Sequence, residues 1–501
     1  MTGPALWLDV PWAAFCLLAP LVAAAVCVVV GPRWASRLAP WLAGLSLAAA
    51  GGVVVRVMQY GPFRHEVGGW GAPLGIDFQV DGLNALMLAM TSVVALVITF
   101  YARAYFRDDE PVRNHFWPLW FFMWGGLHAL FLTADVFNFY VTLEVVSLSA
   151  VALVALSGTA TGVMASLRYL MLAILGSLFY LLGIGLLYAQ YGVLDLDLLR
   201  DVVEVNPVTQ AAYLCIVLGL LIKTALFPLH IWLPPAHSSA PAPVSAALSA
   251  LVIKGSFYIL LRFHFDVLPR ELVAGPAVWL GALGMVAVLW GSLQALRQPR
   301  LKLIIAYSTV AQVGYLFLLF PLCFAPGEPG ALWPTKAWAG GVFHALSHAL
   351  AKASLFLAAG AVLHATGGDS LRHLRGVGER RPVIATALAL ASISIMGLPP
   401  SGGFVGKWLL LVVALQSGQW WWVVGVLLGG LLAAAYSFRF LRLLFLPATA
   451  EQVWHDEPPM LGRAALLLAV LALLLGLAAV IPFKLLSVGA PFPANAFLEA
   501  L

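Results

Sequence analysis

Apolar runs of about twenty residues recur from one end of the chain to the other, separated by short polar or charged stretches. A run of that length is what an α-helix needs to cross the hydrocarbon core of a bilayer. The pattern predicts about fourteen helices, near 11–30, 38–58, 82–102, 116–133, 136–156, 164–188, 210–232, 242–262, 276–296, 301–320, 337–364, 385–416, 421–445 and 464–483. The short segments of alternating polarity expected of a membrane β-barrel do not occur. The reading is an all-α polytopic membrane protein. Met1 to Val10 carries no basic stretch and runs straight into the first span, so it reads as part of that span and not as a signal peptide. The longest gaps, 189–209 and 447–463, leave no room for a soluble domain. Residues 194–205, "LDLDLLRDVVEV", set a Leu/Val face against an acidic one and are predicted to lie along the membrane surface.

Composition agrees with the pattern. Of 501 residues, 62% are hydrophobic and only 10% charged, against roughly 25% charged in a soluble domain. Mean hydropathy is +0.96. The net charge of +5 belongs to loop arginines facing anionic lipid, not to a nucleic-acid footprint. Cys16, Cys27, Cys215 and Cys323 are too scattered for a CxxC pair, a disulfide frame or an iron–sulfur site. Neither a P-loop nor a dinucleotide-binding glycine motif occurs, so no cofactor is predicted and redox or nucleotide energy must come from another chain.

Sorting the charges changes the picture. With the N-terminus outside, the inner loops collect 16 of the 27 lysines and arginines, Lys302 among them, and the outer loops 7, including Arg64, Arg200 and Arg262. The positive-inside rule then puts both termini outside, on the periplasmic face of a cell inner membrane. The remaining four are all lysine, Lys223, Lys254, Lys352 and Lys407, and all fall within spans. Glu144 is the acid placed well inside a span; Asp81 and Asp135 sit at helix ends. Each such group costs roughly 2.5–3.5 kcal/mol at mid-membrane, so five cost on the order of 10–15 kcal/mol unless paired, neutralised or hydrated. Lysine, unlike arginine, can give up its proton when buried. Titratable lysines inside a membrane protein suit proton passage.

Histidines extend the set. In "FHALSHALAKASLFLAAG" (343–360), His344, His348 and Lys352 recur every four residues and share one helix face, about 6 Å apart. Water can bridge such gaps into a proton relay. The HxxxH spacing has no third ligand nearby, so no metal is predicted. Two spans are broken by proline. "LIKTALFPLHIWLPPAH" (221–237) carries Lys223 before Pro228, with His230 and His237 after it. "SISIMGLPPSGGFVGKWLL" (392–410) carries Gly397, Pro399 and Pro400, then Lys407. Broken backbone at membrane depth is tolerated beside water or buried protein and marks ion paths in transporters.

These stretches resemble a known family: the antiporter-like membrane subunits shared by respiratory complex I (NADH-quinone oxidoreductase) and Mrp-type cation/proton antiporters. The resemblance covers roughly residues 75–445. It rests on "FPLHIWLPPAHSSAPAPVSAALSALVIKGSFYILLR" (227–262), "LKLIIAYSTVAQVGY" (301–315), the helix carrying His344 and Lys352, and "GLPPSGGFVGKW" (397–408), in the family's order. It implies two inverted five-helix repeats, each offering half a proton path. The corresponding division is an N-terminal three-helix segment (1–110), a first half-channel (111–265), a second (266–446) and a C-terminal loop and helix (447–501). The resemblance further implies that Glu144 pairs with Lys223, that Lys254 links onward and that Lys407 ends the second half-path. Lys407 stands where the complex I M-type has glutamate, which places the chain nearer the Mrp D-type or the N- and L-types. The L-type's long lateral helix is not expected after residue 463. Pro235 replaces the family's usual aspartate, so no role for that carboxylate carries over.

The function expected is proton translocation, with sodium exchange open, as a subunit working with other membrane subunits. A stand-alone transporter of a small solute and a non-conducting scaffold are the alternatives. The core's inventory of chargeable groups and its shortage of organic-ligand donors favour the first.

Overall fold

The computed structural model describes residues 10–107, 110–325, 332–450, 452–493 and 497. Residues 1–9, expected to lead into the first span, lie outside them. The chain is a multi-pass helical bundle. Among the described residues, eleven helices are long and apolar enough to cross a membrane. The first, Trp12–Tyr60, is two rods joined at Gly31, whose positive φ of 74° breaks the helical path just before Pro32. Other starts follow local chemistry. Asp81 and Asn84 form a reciprocal capping box for Gly82–Tyr105. Asp135 caps Val136–Ala155, and Asn206, with Pro207 following, caps Pro207–Thr224.

Both proline-bearing spans are interrupted where the sequence predicts. The Pro207–Thr224 helix stops at Ala225, which takes the left-handed region (φ 56°, ψ 41°). A 3₁₀ turn, Leu229–Trp232, then leads into Leu233–Ser239. The 385–416 span is two helices, Pro382–Met396 and Gly402–Gln416, separated at Gly397 (φ 83°). The Ala242–Val267 and Trp333–Thr366 helices are the most enclosed, with 100% and 94% of their apolar windows buried. Ala242–Val267 also contains two π-turns, Leu248–Val252 and Phe263–Val267, that hydropathy does not reveal.

One end of the bundle is tied by charge. An antiparallel hairpin, Phe63–Glu66 with Asp77–Val80, fills a loop with no strand signal in the sequence. Arg64 on it reaches Asp77 (3.6 Å), Asp197 (3.0 Å) and Asp195, the N-cap of the short Leu196–Val202 helix. Beside it Arg262 meets Asp81 through both guanidinium nitrogens, at 2.7 and 2.9 Å, and Asp266 at 2.7 Å. The assignment of Arg262 to an outer loop is therefore corrected: it is 3% exposed, within the last turn of Ile253–Arg262. Leu196 and Leu199 bury the apolar face of the 196–202 helix against this end.

Candidate functional site: a row of buried lysines and histidines

Glu144, on Val136–Ala155, accepts from Lys223 Nζ at 3.2 Å, and Lys223 also donates to Ser147 Oγ at 2.9 Å. Ser177 donates to the same carboxylate. Lys223 occupies the last turn before the Ala225 break, so the break brings the ammonium to a helix C-terminus, where the dipole favours a cation. One step inward, Thr224 donates to Ser256 Oγ (2.8 Å), which lies two residues beyond Lys254. No direct Lys223–Lys254 bond is formed among the described contacts.

Lys254 is fully buried. Its Nζ donates to the carbonyl of Ser249, which lies in the Leu248–Val252 π-turn, at 2.6 Å, and lies 2.6 Å from His348 Nδ1. His344 and His348 follow each other along Trp333–Thr366, ring centroids 6.3 Å apart. Lys352, one turn further, turns to the Leu301–Phe317 helix, donating to the Ile305 carbonyl (3.0 Å) and to Ser308. At the other end, Lys407 donates to the Ile395 carbonyl at 2.7 Å and lies over the Tyr315 ring at 4.3 Å. Tyr315 in turn sits edge-on to His344, 5.7 Å between centroids. Gly406 permits this: a Cβ there would come within 2.8 Å of His344 Cβ, so the Gly402–Gln416 helix can press against the histidine row.

The nine residues singled out in the sequence do not all meet. Seven of them lie along this row in separate groups: Glu144 meets Lys223, Lys254 meets His348, His344 follows His348, Lys407 reaches His344 through Tyr315, and Lys352 bonds the Leu301–Phe317 helix instead. His237 is buried against the Phe356 ring (4.5 Å) with both ring nitrogens lacking a protein partner, and lies within electrostatic reach of Lys254, Lys302 and Lys352. His230 stands apart, stacked on Phe227. Buried imidazole nitrogens without protein partners suit a row completed by water.

Two contributors were not legible. Lys302, read as an inner-loop residue, is 3% exposed in the first turn of Leu301–Phe317 and donates to the Ala240 carbonyl at 2.5 Å. It lines a cavity of about 260 Å³ with Ser238, Ser239, Arg300 and Asp369. Tyr315 gave no signal beyond its place in a quoted motif.

The comparisons with known proteins bear on what this row does. The model described as "NADH:quinone oxidoreductase/Mrp antiporter, TM" matches residues 133–433, and that for the N-terminus of complex I chain 5 matches residues 70–116. The chain is similar to the N-type subunit of NADH-quinone oxidoreductase from Desulforudis audaxviator, 37% identical over 83% of this chain and 82% of that one. It is similar to the D-type subunit of the Na⁺/H⁺ antiporter from Alkalihalophilus pseudofirmus, 28% identical over 85% of each. Among solved structures it is similar to a chain of the Mrp complex from Dietzia, at 25% identity, TM-score 0.86 and 98% coverage of both.

Proposed function

The chain belongs to the NADH:quinone oxidoreductase/Mrp antiporter family as an antiporter-like membrane subunit, and from that premise we propose that it carries protons along the row running from Glu144 to Lys407. The observation that carries the reading is the Lys254–His348 contact. It joins the helix bearing Lys254 and Ser256, which Thr224 beside Lys223 contacts, to the Trp333–Thr366 helix bearing His344 and Lys352, through groups that can each take and release a proton. Charges buried at this depth are expensive and mark ion pathways.

In this reading the fold has fourteen crossings. The kinked Trp12–Tyr60 segment supplies two, Glu110–Leu132 one, and the pair Pro382–Met396 and Gly402–Gln416 together one. The crossings group into an N-terminal segment (1–110), two inverted half-channels (111–265 and 266–446) and a C-terminal part (447–501). Both termini face outward across a cell inner membrane, in keeping with the loop-charge bias. His237 and Lys302 feed the row from the inner side. The chain works with other membrane subunits, since its relatives in solved structures sit in multi-subunit membrane complexes.

The test is proton uptake by vesicles holding the intact complex, with Lys254→Ala and His348→Ala variants matched for subunit content. A fall of at least tenfold in coupled transport supports the reading; full rates in both variants end it. Omitting sodium, and identifying the chains that co-purify, separates sodium exchange from redox drive.

A further inference from the structure

The row has one weak step. Between His344 and Lys407 stands the Tyr315 ring, which carries no exchangeable proton, and the Tyr315 hydroxyl is engaged by the Val426 carbonyl at 3.3 Å. A second set of polar groups connects Lys352 with Lys407. Ser308 accepts from Lys352 and donates to the Ile305 carbonyl at 2.8 Å, and Gln312 stands one turn further along the Leu301–Phe317 helix. Gln312 Nε2 donates at 3.3 Å to the Ile395 carbonyl, the same one that takes Lys407 at 2.7 Å. That carbonyl is free for both because its helix ends at Met396 and the residue four further on, Pro399, has no N–H. A carbonyl can only accept, so the amide nitrogen must face Ile395 and Gln312 Oε1 is left as a bare acceptor. Tyr436, on Trp420–Leu444, brings its hydroxyl towards the Gln312 and Ser308 side chains without a regular hydrogen bond to either. Ser308, Gln312 and Tyr436 are 1%, 1% and 2% exposed.

We propose that Ser308, Tyr436 and Gln312 hold a water that carries the proton from Lys352 to Lys407, bypassing Tyr315, and that His344 is a side branch. This step rests on the reading that the row carries protons. Gln312 Oε1 and the Tyr436 hydroxyl are buried without a protein partner. Unpaired polar atoms at such depth are satisfied by ordered water, which needs roughly two to four partners. A water here accepts from a hydroxyl and donates to Gln312 Oε1. The proton balance closes. Lys352 gives one proton to Ser308, whose own hydroxyl proton swings from the Ile305 carbonyl towards the water. Each oxygen in turn accepts one proton and hands on another, and a neutral Lys407 takes the last. Gln312 neither gains nor loses a proton. It is a positioning residue, fixing the water through Oε1 and sharing the Ile395 carbonyl with the receiving lysine.

The experiment measures proton uptake by vesicles holding the intact complex, at matched subunit content and matched unfolding midpoint. Tyr436→Phe and Ser308→Ala should each slow coupled transport about tenfold, since water can bridge part of the gap a lost hydroxyl leaves. The Tyr436→Phe/Ser308→Ala double variant should be no slower than the worse single one, because groups serving one step are not additive. In Tyr436→Phe the ratio of rates in ordinary and heavy water should rise, which a packing defect would not produce. His344→Ala should slow transport less than Tyr436→Phe does. Full rates in Tyr436→Phe and Ser308→Ala, losses that multiply in the double variant, an unchanged isotope ratio, or a larger loss in His344→Ala overturns the proposal. Lys254→Ala, run alongside, keeps the two readings apart. If it is slow while Tyr436→Phe and Ser308→Ala are not, this step alone fails; if it is unimpaired, the row fails and this step with it.

Discussion

The Nζ of Lys254 lies 2.6 Å from Nδ1 of His348, deep between two of the most enclosed helices of the bundle. At that distance one proton bridges the two nitrogens. If lysine holds it, the imidazole proton must sit on Nε2, which has no protein partner. A proton arriving on one side can thus displace another on the far side without either side chain moving far. We expect Lys254→Arg to fail as badly as Lys254→Ala, because arginine keeps a charge it cannot release. Proton uptake in vesicles measures this, and near-normal rates in the arginine variant would show that a fixed charge suffices.

Glu144 and Lys223 should behave as one unit. Glu144→Gln and Lys223→Ala are each expected to cut coupled transport by at least tenfold while the complex still assembles. The double variant should be no slower than the worse single one, because groups sharing one interaction are not additive. Losses that simply multiply would show that the 3.2 Å contact is incidental.

Lys302 gives a graded expectation. Lys302→Met keeps much of the buried stem and removes only the ammonium that holds the Ala240 carbonyl. Transport should slow severalfold, with the loss confined to proton entry from the Arg300–Asp369 side. Vesicles of both orientations distinguish entry from exit, and equal slowing in both would reassign Lys302 to packing.

The Gly397 break supports the row by shape. A Cβ at Gly397 would come within 2.9 Å of Lys407 Cδ, and its φ of 83° disfavours any side chain. Gly397→Ala should destabilise the full chain by about 1–3 kcal/mol and displace Lys407 from Tyr315. Ala225→Gly, at the other break, should instead leave stability unchanged or slightly raised, since Ala225 already occupies left-handed space. Thermal unfolding of both variants in detergent checks the contrast.

Outside the membrane, burial pushes the Glu457 carboxyl up to about 6 from an ordinary 4.5, with Arg381 pulling the other way from 3.3 Å. The folded chain therefore holds that proton more tightly than the unfolded one. The stability it adds is complete below about pH 4.5 and is lost as pH rises through about 6. It amounts to no more than about 2 kcal/mol, and water at the cavity mouth reduces it. Glu457→Gln should flatten the unfolding midpoint between pH 5 and 7; an unchanged slope would place the proton elsewhere.

Much of this was readable from the residues. Proline and glycine mark a broken helix whatever surrounds them, so the interruptions after Lys223 and before Lys407 were visible in the sequence. The charges that define the row were visible because nothing in a hydrophobic run hides a lysine. Lys302 and Arg262 were misplaced for a common reason. Each lies within a turn of a helix end, and hydropathy cannot say whether such a residue points to a loop or into its neighbours. The 63–80 hairpin escaped because four-residue strands carry no periodicity, and Arg64 holds it through acids more than a hundred residues away. The π-turn under Lys254 is a backbone event set by packing, with no residue signature.

The ionic ties of Arg262 and Arg64 give the bundle a mechanical asymmetry. Through Asp81, Asp266, Asp195 and Asp197 they stitch the hairpin, the Gly82–Tyr105 helix, the Ala242–Val267 helix and the 196–202 segment into one rim. Among the described contacts, the opposite end carries fewer ionic ties, Arg300 to Asp369 at 2.9 Å and Arg381 to Glu457 at 3.3 Å, so we expect helices to separate more readily there. If the row conducts, we expect gating on the more densely tied side by side-chain rotation and on the opposite side by helix separation. Cysteine crosslinks between helices would jam the second kind of gate and spare the first.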